Sequence, residues 1–343
     1  MPHLIVSHCK KAGRVCPFEG GGRKYRGAST GMINPRDELL HEYKKHSDWI
    51  ETFSVNLVDR KNKIYGFADI NYTFYNAKTE FNWALIVNDS IFTYRNTVDF
   101  DGNLTHKTLT DKKFKYRIAS PPDNFELGLK NEFLTANFLV HGVHPVYVFP
   151  VSGEETRESS SGRGVDLWER YEQRCRITGN VAIAKGPKKG YSKKIECTGH
   201  RKHSWGRRHL ESMSCYSWLS IQFRDMAMDC TYMEIDNVPY SHGYISRRTG
   251  NIPIVSVELE LLSFNRDSKT LVSSEFSYKD AQDDRDLIVS KKLYSVDMPV
   301  LHQKKNRYLR LRSFSDFTII GTNKKGIGME EHYISLDRLN RME

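Results

Sequence analysis

At 343 residues, with 38% hydrophobic and 27% charged side chains, the chain is too long for one small domain and too apolar for disorder. Its 18 Tyr, 17 Phe and 5 Trp, set against few Ala or Leu runs, favour β-structure, because aromatic rings fit a pleated surface. The formal net charge of +10 suits an anionic partner, yet no RRM, KH or zinc-finger signature accompanies it, so nucleic acid is not the expected one.

Residues 1–32 are rich in Gly, Lys and Arg and read as an N-terminal arm. Within it, Glu19-Gly20-Gly21-Gly22-Arg23 lacks the Lys-Ser/Thr of a phosphate loop. A short helix is expected next, with Asn34 as cap, Pro35 at its first position, Asp37 and Glu38 at the positive end, and a stop near Ser47. The period then changes to two: Phe53, Val55 and Leu57 alternate with polar residues, as do Ile70, Tyr72 and Phe74, and Trp83, Leu85 and Val87. Asp101-Gly102 reads as a hairpin turn, with further strands at 113–118, 125–130, 133–140 and 145–149.

The polar run 152–164 is the best linker, giving a first domain over 33–164 and a second over 165–343. In the second, 174–184 is a strand and Lys185–Gly190 a basic turn. A hairpin over 214–235 turns at Arg224-Asp225, and later strands carry Val255, Val257, Leu259, Leu309 and Leu311. The expected fold is all-β, two antiparallel barrels of about eight strands each with a short N-terminal helix.

Met1–Cys9 is too short an apolar run for a signal peptide. The apolar window Phe133–Phe149 is interrupted by His141, His144 and Pro145. A cytoplasmic protein with no transmembrane segment is expected, its membrane contact limited to a peripheral one with an anionic surface. The six cysteines form no CxxC pair. Cys197, His200, His203 and His209 are close in sequence, but a strand puts Cys197 and His203 on one face and His200 on the other. No metal and no cofactor are expected. Three basic stretches stand out, 185–194, 201–208 and 304–312; the last alternates cations with apolar residues and reads as a half-buried strand with a solvated cationic face, with RNA binding as its alternative.

The most concentrated chemistry lies in Gly199-His200-Arg201-Lys202-His203-Ser204-Trp205-Gly206-Arg207-Arg208, preceded by Trp168-Glu169-Arg170-Tyr171-Glu172-Gln173. In order and spacing this pair of segments resembles the hydroxyneurosporene synthase (carotenoid 1,2-hydratase)-like superfamily, which includes relatives of tocopherol cyclase. Gly326–Glu331 is similar to that family's last strands. The likeness covers most of residues 48–335, and its two central motifs are the specific part. It implies two lipocalin-related β domains and a pocket for a large apolar, isoprenoid-like molecule, with hydration or cyclisation by acid catalysis in several members.

Such chemistry requires an acid kept neutral by burial, aromatic faces beside a carbocation, and control of water. The family motif reads Arg-Asp-His-Ser-Trp-Gly, and Lys202 stands here where that Asp belongs. A lysine, with an ordinary pKa of about 10.4, cannot replace it as proton donor. Substitute acids are Glu234, Asp236, Glu330 and Glu331, and His203 can act beside a carboxylate. The site expectation is therefore His203, Glu330 and Asp236 for catalysis. Trp168, Trp205 and Trp218 would form pocket walls, with Glu172 and Lys202 as polar contacts. Three alternatives stay open: His203 and Trp205 as a buried structural corner, a non-catalytic carrier of hydrophobic ligands that has lost the family acid, and a basic RNA-associated protein.

Overall fold

The computed structural model describes residues 4–8, 33–44, 46–149, 168–208, 211–265, 270–296 and 308–341. Contacts divide the chain into two compact units, one of residues 30–210 with 248–250, the other of residues 1–29, 211–247 and 251–343.

The first unit is a single antiparallel sheet of 11 strands. Its members are β2 (Trp49–Asp59), β3 (Ile64–Thr73), β4 (Lys78–Val87), β5 (Ser90–Asp99), β6 (Thr108–Thr110), β7 (Phe114–Ser120), β8 (Asn124–Lys130), β9 (Leu134–Gly142), β10 (Tyr147–Val148), β11 (Glu169–Ile183) and β12 (Ser192–Arg207). They lie in the order β5-β4-β3-β2-β12-β11-β9-β8-β7-β6, with β10 added to β11. Strand twist curls a sheet of this width. The period-2 residues Phe53, Val55, Leu57, Ile70, Trp83, Leu85, Leu127 and Phe138 fill its concave side. Each such side chain contributes about 1.5–3 kcal/mol by leaving water.

The curl stops short of closure. Among the described residues β5 and β6 are sheet edges, and side chains of β5 reach the turn that follows β6: Tyr94 Oη and Asn96 Nδ2 donate to Asp111 Oδ2 at 2.5 and 2.9 Å. The first domain is thus a curled half-barrel, where a second complete barrel was expected.

The second unit holds β13 (Met213–Gln222), β14 (Ala227–Ile235), β15 (Val238–Arg247), β16 (Gly250–Asn265), β17 (Thr270–Asp280), β18 (Arg285–Ser295), β19 (Tyr308–Ile319) and β20 (Lys325–Ser335). These run β16-β15-β14-β13-β20-β19-β18-β17, and β16 also pairs with β17, which closes an 8-strand barrel. Leu219, Ile221, Phe276, Ile288 and Phe317 pack inside it. A short helix, α1 (Leu336–Arg341), follows β20.

Several sequence expectations change. The helix over 34–47 is only a 3-10 turn at Pro35–Glu38. Asn34 caps it and Pro35 starts it, but Leu39 is already extended, because Glu38 and His41 are drawn into tertiary pairs described below. No hairpin forms at Asp101-Gly102. Asp101 instead accepts from Asn103 N and His106, and this closes a local loop between β5 and β6. Part of the N-terminal arm, β1 (Leu4–His8), pairs with residues 261–265 of β16. The linker 152–164 lies outside the described residues. The contact boundary falls after β12 and not at 164, because β11 and β12 extend the first sheet through β9 and β2.

Candidate functional site

The motif strand β12 lies between β11 and β2, and register decides what gathers on each of its faces. His203 is opposite Tyr171 on β11 and Phe53 on β2. Arg201 is opposite Gln173 and Val55, and Trp205 is opposite Glu51. Cross-strand partners share a face, so Tyr171, Gln173, Arg201, His203, Trp205, Glu51 and Phe53 all project to one side. Two motif glycines permit this packing. A Cβ on Gly199 would lie 2.5 Å from Asn56 O, and Gly206 adopts φ +131 with Trp168 backbone 3.0 Å from where its Cβ would stand.

On that face runs a continuous polar chain. Arg201, fully buried, donates from Nη1 to Glu38 Oε2 at 3.1 Å, with Nη2 3.0 Å from Glu38 Oε1. It is held further by Gln173 Oε1 (2.8 Å) and Pro122 O (2.9 Å). Burial opposes its charge, but the surrounding groups, Glu38 foremost, together outweigh burial and raise its pKa. Tyr171 Oη donates to Glu38 Oε2 at 2.6 Å and lies 3.0 Å from His203 Nδ1. Burial, then Glu38, pushes the Tyr171 phenol well up, so it stays protonated.

His203 Nε2 is 2.7 Å from Glu51 Oε1. His41 Nδ1 is 2.8 Å from the same oxygen, and His41 N donates to Glu51 Oε2 at 3.1 Å.

Hydrogen counting fixes the tautomers. The single Tyr171 proton goes to the charged Glu38, the stronger acceptor. At the Tyr171 contact His203 Nδ1–H must therefore donate. One proton is left to be shared between His203 Nε2 and Glu51, either as carboxylate with imidazolium or as neutral acid with neutral imidazole. Burial pushes the His203 imidazole down, against the pull of Glu51. Burial alone would raise Glu51, but the hydrogen bonds from His203 and His41 hold it below the usual carboxylate range.

His41 is the outer end of the chain, with a side chain 20% exposed against 0% for Glu51 and 1% for His203. Its ring stacks on Trp205 at 3.7 Å and 12°. With Nδ1 directed at Glu51, its Nε2 is buried and has no partner. Phe53 stacks on His203 at 3.9 Å, and Tyr171 meets it edge-on. The chain thus ends in one imidazole nitrogen beside aromatic faces. His41, Glu51 and His203 also place three ligand atoms within 4.8 Å of one another, a donor set suited to a divalent transition metal. The separations of 2.7 and 2.8 Å within the set are hydrogen-bond lengths.

The structure brings together only part of the expected site. His203 and Trp205 stand side by side in this chain. Lys202 and Glu172 project to the opposite face, where buried Glu172 lies 3.1 Å from His200 Nε2 and 3.5 Å from Arg170 Nε. Trp168 packs under Arg208 at 5.0 Å. Arg201, a cation of the second basic stretch, is fully buried. His209 lies outside the described residues.

The remaining candidates belong to the second unit. Trp218 donates its indole N–H to Asp229. Asp236 is exposed in the two-residue turn Asp236-Asn237, both at positive φ, and serves hairpin geometry, not proton transfer. Glu234 pairs with Arg338, and Glu331 with Arg310 and Arg312.

Glu330 is buried inside the closed barrel. Its Oε2 accepts from Ser274 Oγ at 2.6 Å and lies 3.1 Å from His332 Nε2, while His332 Nδ1 is 2.9 Å from Ser217 Oγ. Burial alone would raise Glu330, but His332 and Ser274 hold it low.

Sequence reasoning missed Glu38, His41, Glu51, Tyr171, Gln173 and Arg201. Two signals were present. Glu51 falls in phase with Phe53, Val55 and Leu57, a carboxylate on an apolar face. Tyr171 and Gln173 alternate with Glu172 in the motif strand, so the face of His203 selects them and not Glu172.

A model described as a domain of unknown function, DUF7064, matches residues 34–333. The chain belongs to the DUF7064 family. No curated protein matches its sequence. In solved structures, this DUF7064 chain is similar to an AttH-like protein of Nitrosomonas europaea (TM-score 0.65, 12% identity, 88% of this chain and 96% of that one). It is also similar to kievitone hydratase of Nectria haematococca (TM-score 0.61, 8% identity, 90% and 94%) and to CghA crystallised with Sch210972 (TM-score 0.60, 8% identity, 84% and 89%). At these identities the likeness is one of fold: the DUF7064 chain shares their two-domain, lipocalin-like β architecture.

Proposed function

We propose that this protein binds a large apolar, isoprenoid-like molecule at the His41–Trp205 end of its first sheet and catalyses its hydration or cyclisation by proton transfer. The observation that carries this reading is the buried chain Glu38–Tyr171–His203–Glu51–His41, whose outer member ends in an unpartnered nitrogen. His41 Nε2, when protonated, gives its proton to one carbon of a substrate double bond. The other carbon becomes a cation beside Trp205. In hydration, water adds to that cation and its surplus proton returns to Nε2. In cyclisation, a second double bond attacks and a neighbouring C–H supplies the returning proton. Glu51 and His203 act behind His41, re-protonating it and stabilising its charge. Kievitone hydratase is a hydratase by name and CghA was crystallised with Sch210972, which supports small-molecule chemistry on this fold.

The test is turnover of a panel of prenylated and polyene compounds in deuterated water, with mass spectrometry of product and of solvent extracts from the purified protein. One carbon-bound deuterium per product is expected. No compound in the extract and no deuterium uptake from any member of the panel would sink the proposal. A carrier reading has one observation in its favour, Lys202 where the hydroxyneurosporene synthase-like motif that the chain resembles has Asp. A stoichiometric apolar compound released unchanged, without deuterium uptake, would establish it.

A further inference from the structure

We propose that the end of the first sheet remote from His41 is a docking surface for an anionic lipid membrane. The turns 60–63, 88–89, 111–113, 131–133 and 184–191 gather at that end. Asn88 N donates to Lys63 O, Lys130 N to Lys113 O, and Ala184 N to Phe133 O at 2.8 Å, while Gly186 lies against the Phe92 ring of β5. These contacts tie the turns into one broad end.

Exposed cations crowd it: Lys61, Lys63, Lys113, Lys130, Lys189 and Lys193. The acids nearby are largely engaged. Asp59 binds Asn62, Asp111 binds Tyr94 and Asn96, and Glu132 pairs with Lys185 at 2.9 Å. Asp89, exposed in its turn, does not reverse the sign.

Two large apolar side chains stand out among these charges, Phe133 at 46% exposure and Ile91 at 49%. Lysines draw a surface to anionic lipid within a Debye length, and apolar side chains then enter the headgroup boundary. A single-stranded nucleic acid instead needs a groove with stacked rings. Here one exposed aromatic tip stands on a row of turns, which fits a plane. β12 runs from Ser192 at this end to Arg207 at the other, with His203 and Trp205 in its far half. The inference is independent of the chemistry proposed above.

The test is co-sedimentation of the full chain with vesicles of phosphatidylcholine, alone or mixed with phosphatidylserine. Binding is expected only with phosphatidylserine present, and it should be lost at high salt. Replacing Lys189 and Lys193 with Gln should lower affinity about 25-fold, about fivefold per charge. Phe133→Ser should weaken binding without changing its salt dependence, and circular dichroism of both variants separates these losses from misfolding. The proposal is overturned by no sedimentation at low salt, by equal binding to both vesicles, or by single-stranded RNA that displaces the protein from them.

Discussion

Both units bury a carboxylate beside an imidazole, and the two pairs sit in different surroundings. In the closed barrel, Glu330 and His332 are enclosed by Ser217, Ser274 and Ser290, and no member of the group reaches solvent. In the curled sheet, Glu51 and His203 are as deeply buried, but the chain continues to half-buried His41, is lined by aromatic rings, and is anchored at its inner end by Arg201. A buried acid–base pair can serve as a core fastening. It becomes a site when its hydrogen bonds lead to a group that a substrate can meet.

The contrast can be broken most severely at its chemical end. Glu51→Gln or His203→Gln should lower turnover by about 10²–10⁴-fold, the usual contribution of general acid–base catalysis. Loss of folding with no separable effect on turnover would instead make this chain a fastening too. Removing the anchor comes next. Arg201→Met leaves Glu38 buried and uncompensated and should cost about 3–5 kcal/mol in denaturant unfolding.

The corresponding change in the closed barrel, Glu330→Gln, should cost about 1–3 kcal/mol and leave turnover intact. A large loss of rate there would erase the distinction. Acid titration sharpens it. Glu330 is held below its ordinary 4.5, so it binds fewer protons folded than unfolded. Its stabilisation is complete above that value and is lost as pH falls through the depressed one. The unfolding midpoint should therefore fall as pH drops below 4.5. Glu330→Gln should soften that fall. The smallest effect is expected from Lys202→Asp: on the face opposite His203, it should alter turnover less than about threefold, a change of well under 1 kcal/mol. A strong gain would tie that face to the chemistry.

The strands were legible because alternation is a local signal. Phe53, Val55 and Leu57, or Trp83, Leu85 and Val87, announce a pleated face without help from the rest of the chain. Curvature is not local, and nothing in the alternation tells an open curl from a closed barrel. The 34–38 segment carries sound helix signals that tertiary pairing of Glu38 with Arg201 overrides, across 163 residues. The site was half legible for the same reason. His203 and Trp205 sit in a dense motif and Glu51 in a phased strand, whereas His41 lies in a loop and is recruited by a contact that no spacing rule describes.

One consequence follows from the gap between β5 and β6. A closed barrel has a bore fixed by strand number and stagger, so widening it means changing its whole register. The first sheet ends instead in a latch of two hydrogen bonds from Tyr94 and Asn96 to Asp111. Its girth is set by three side chains, and point substitutions there can loosen or tighten the curl while every strand keeps its partner.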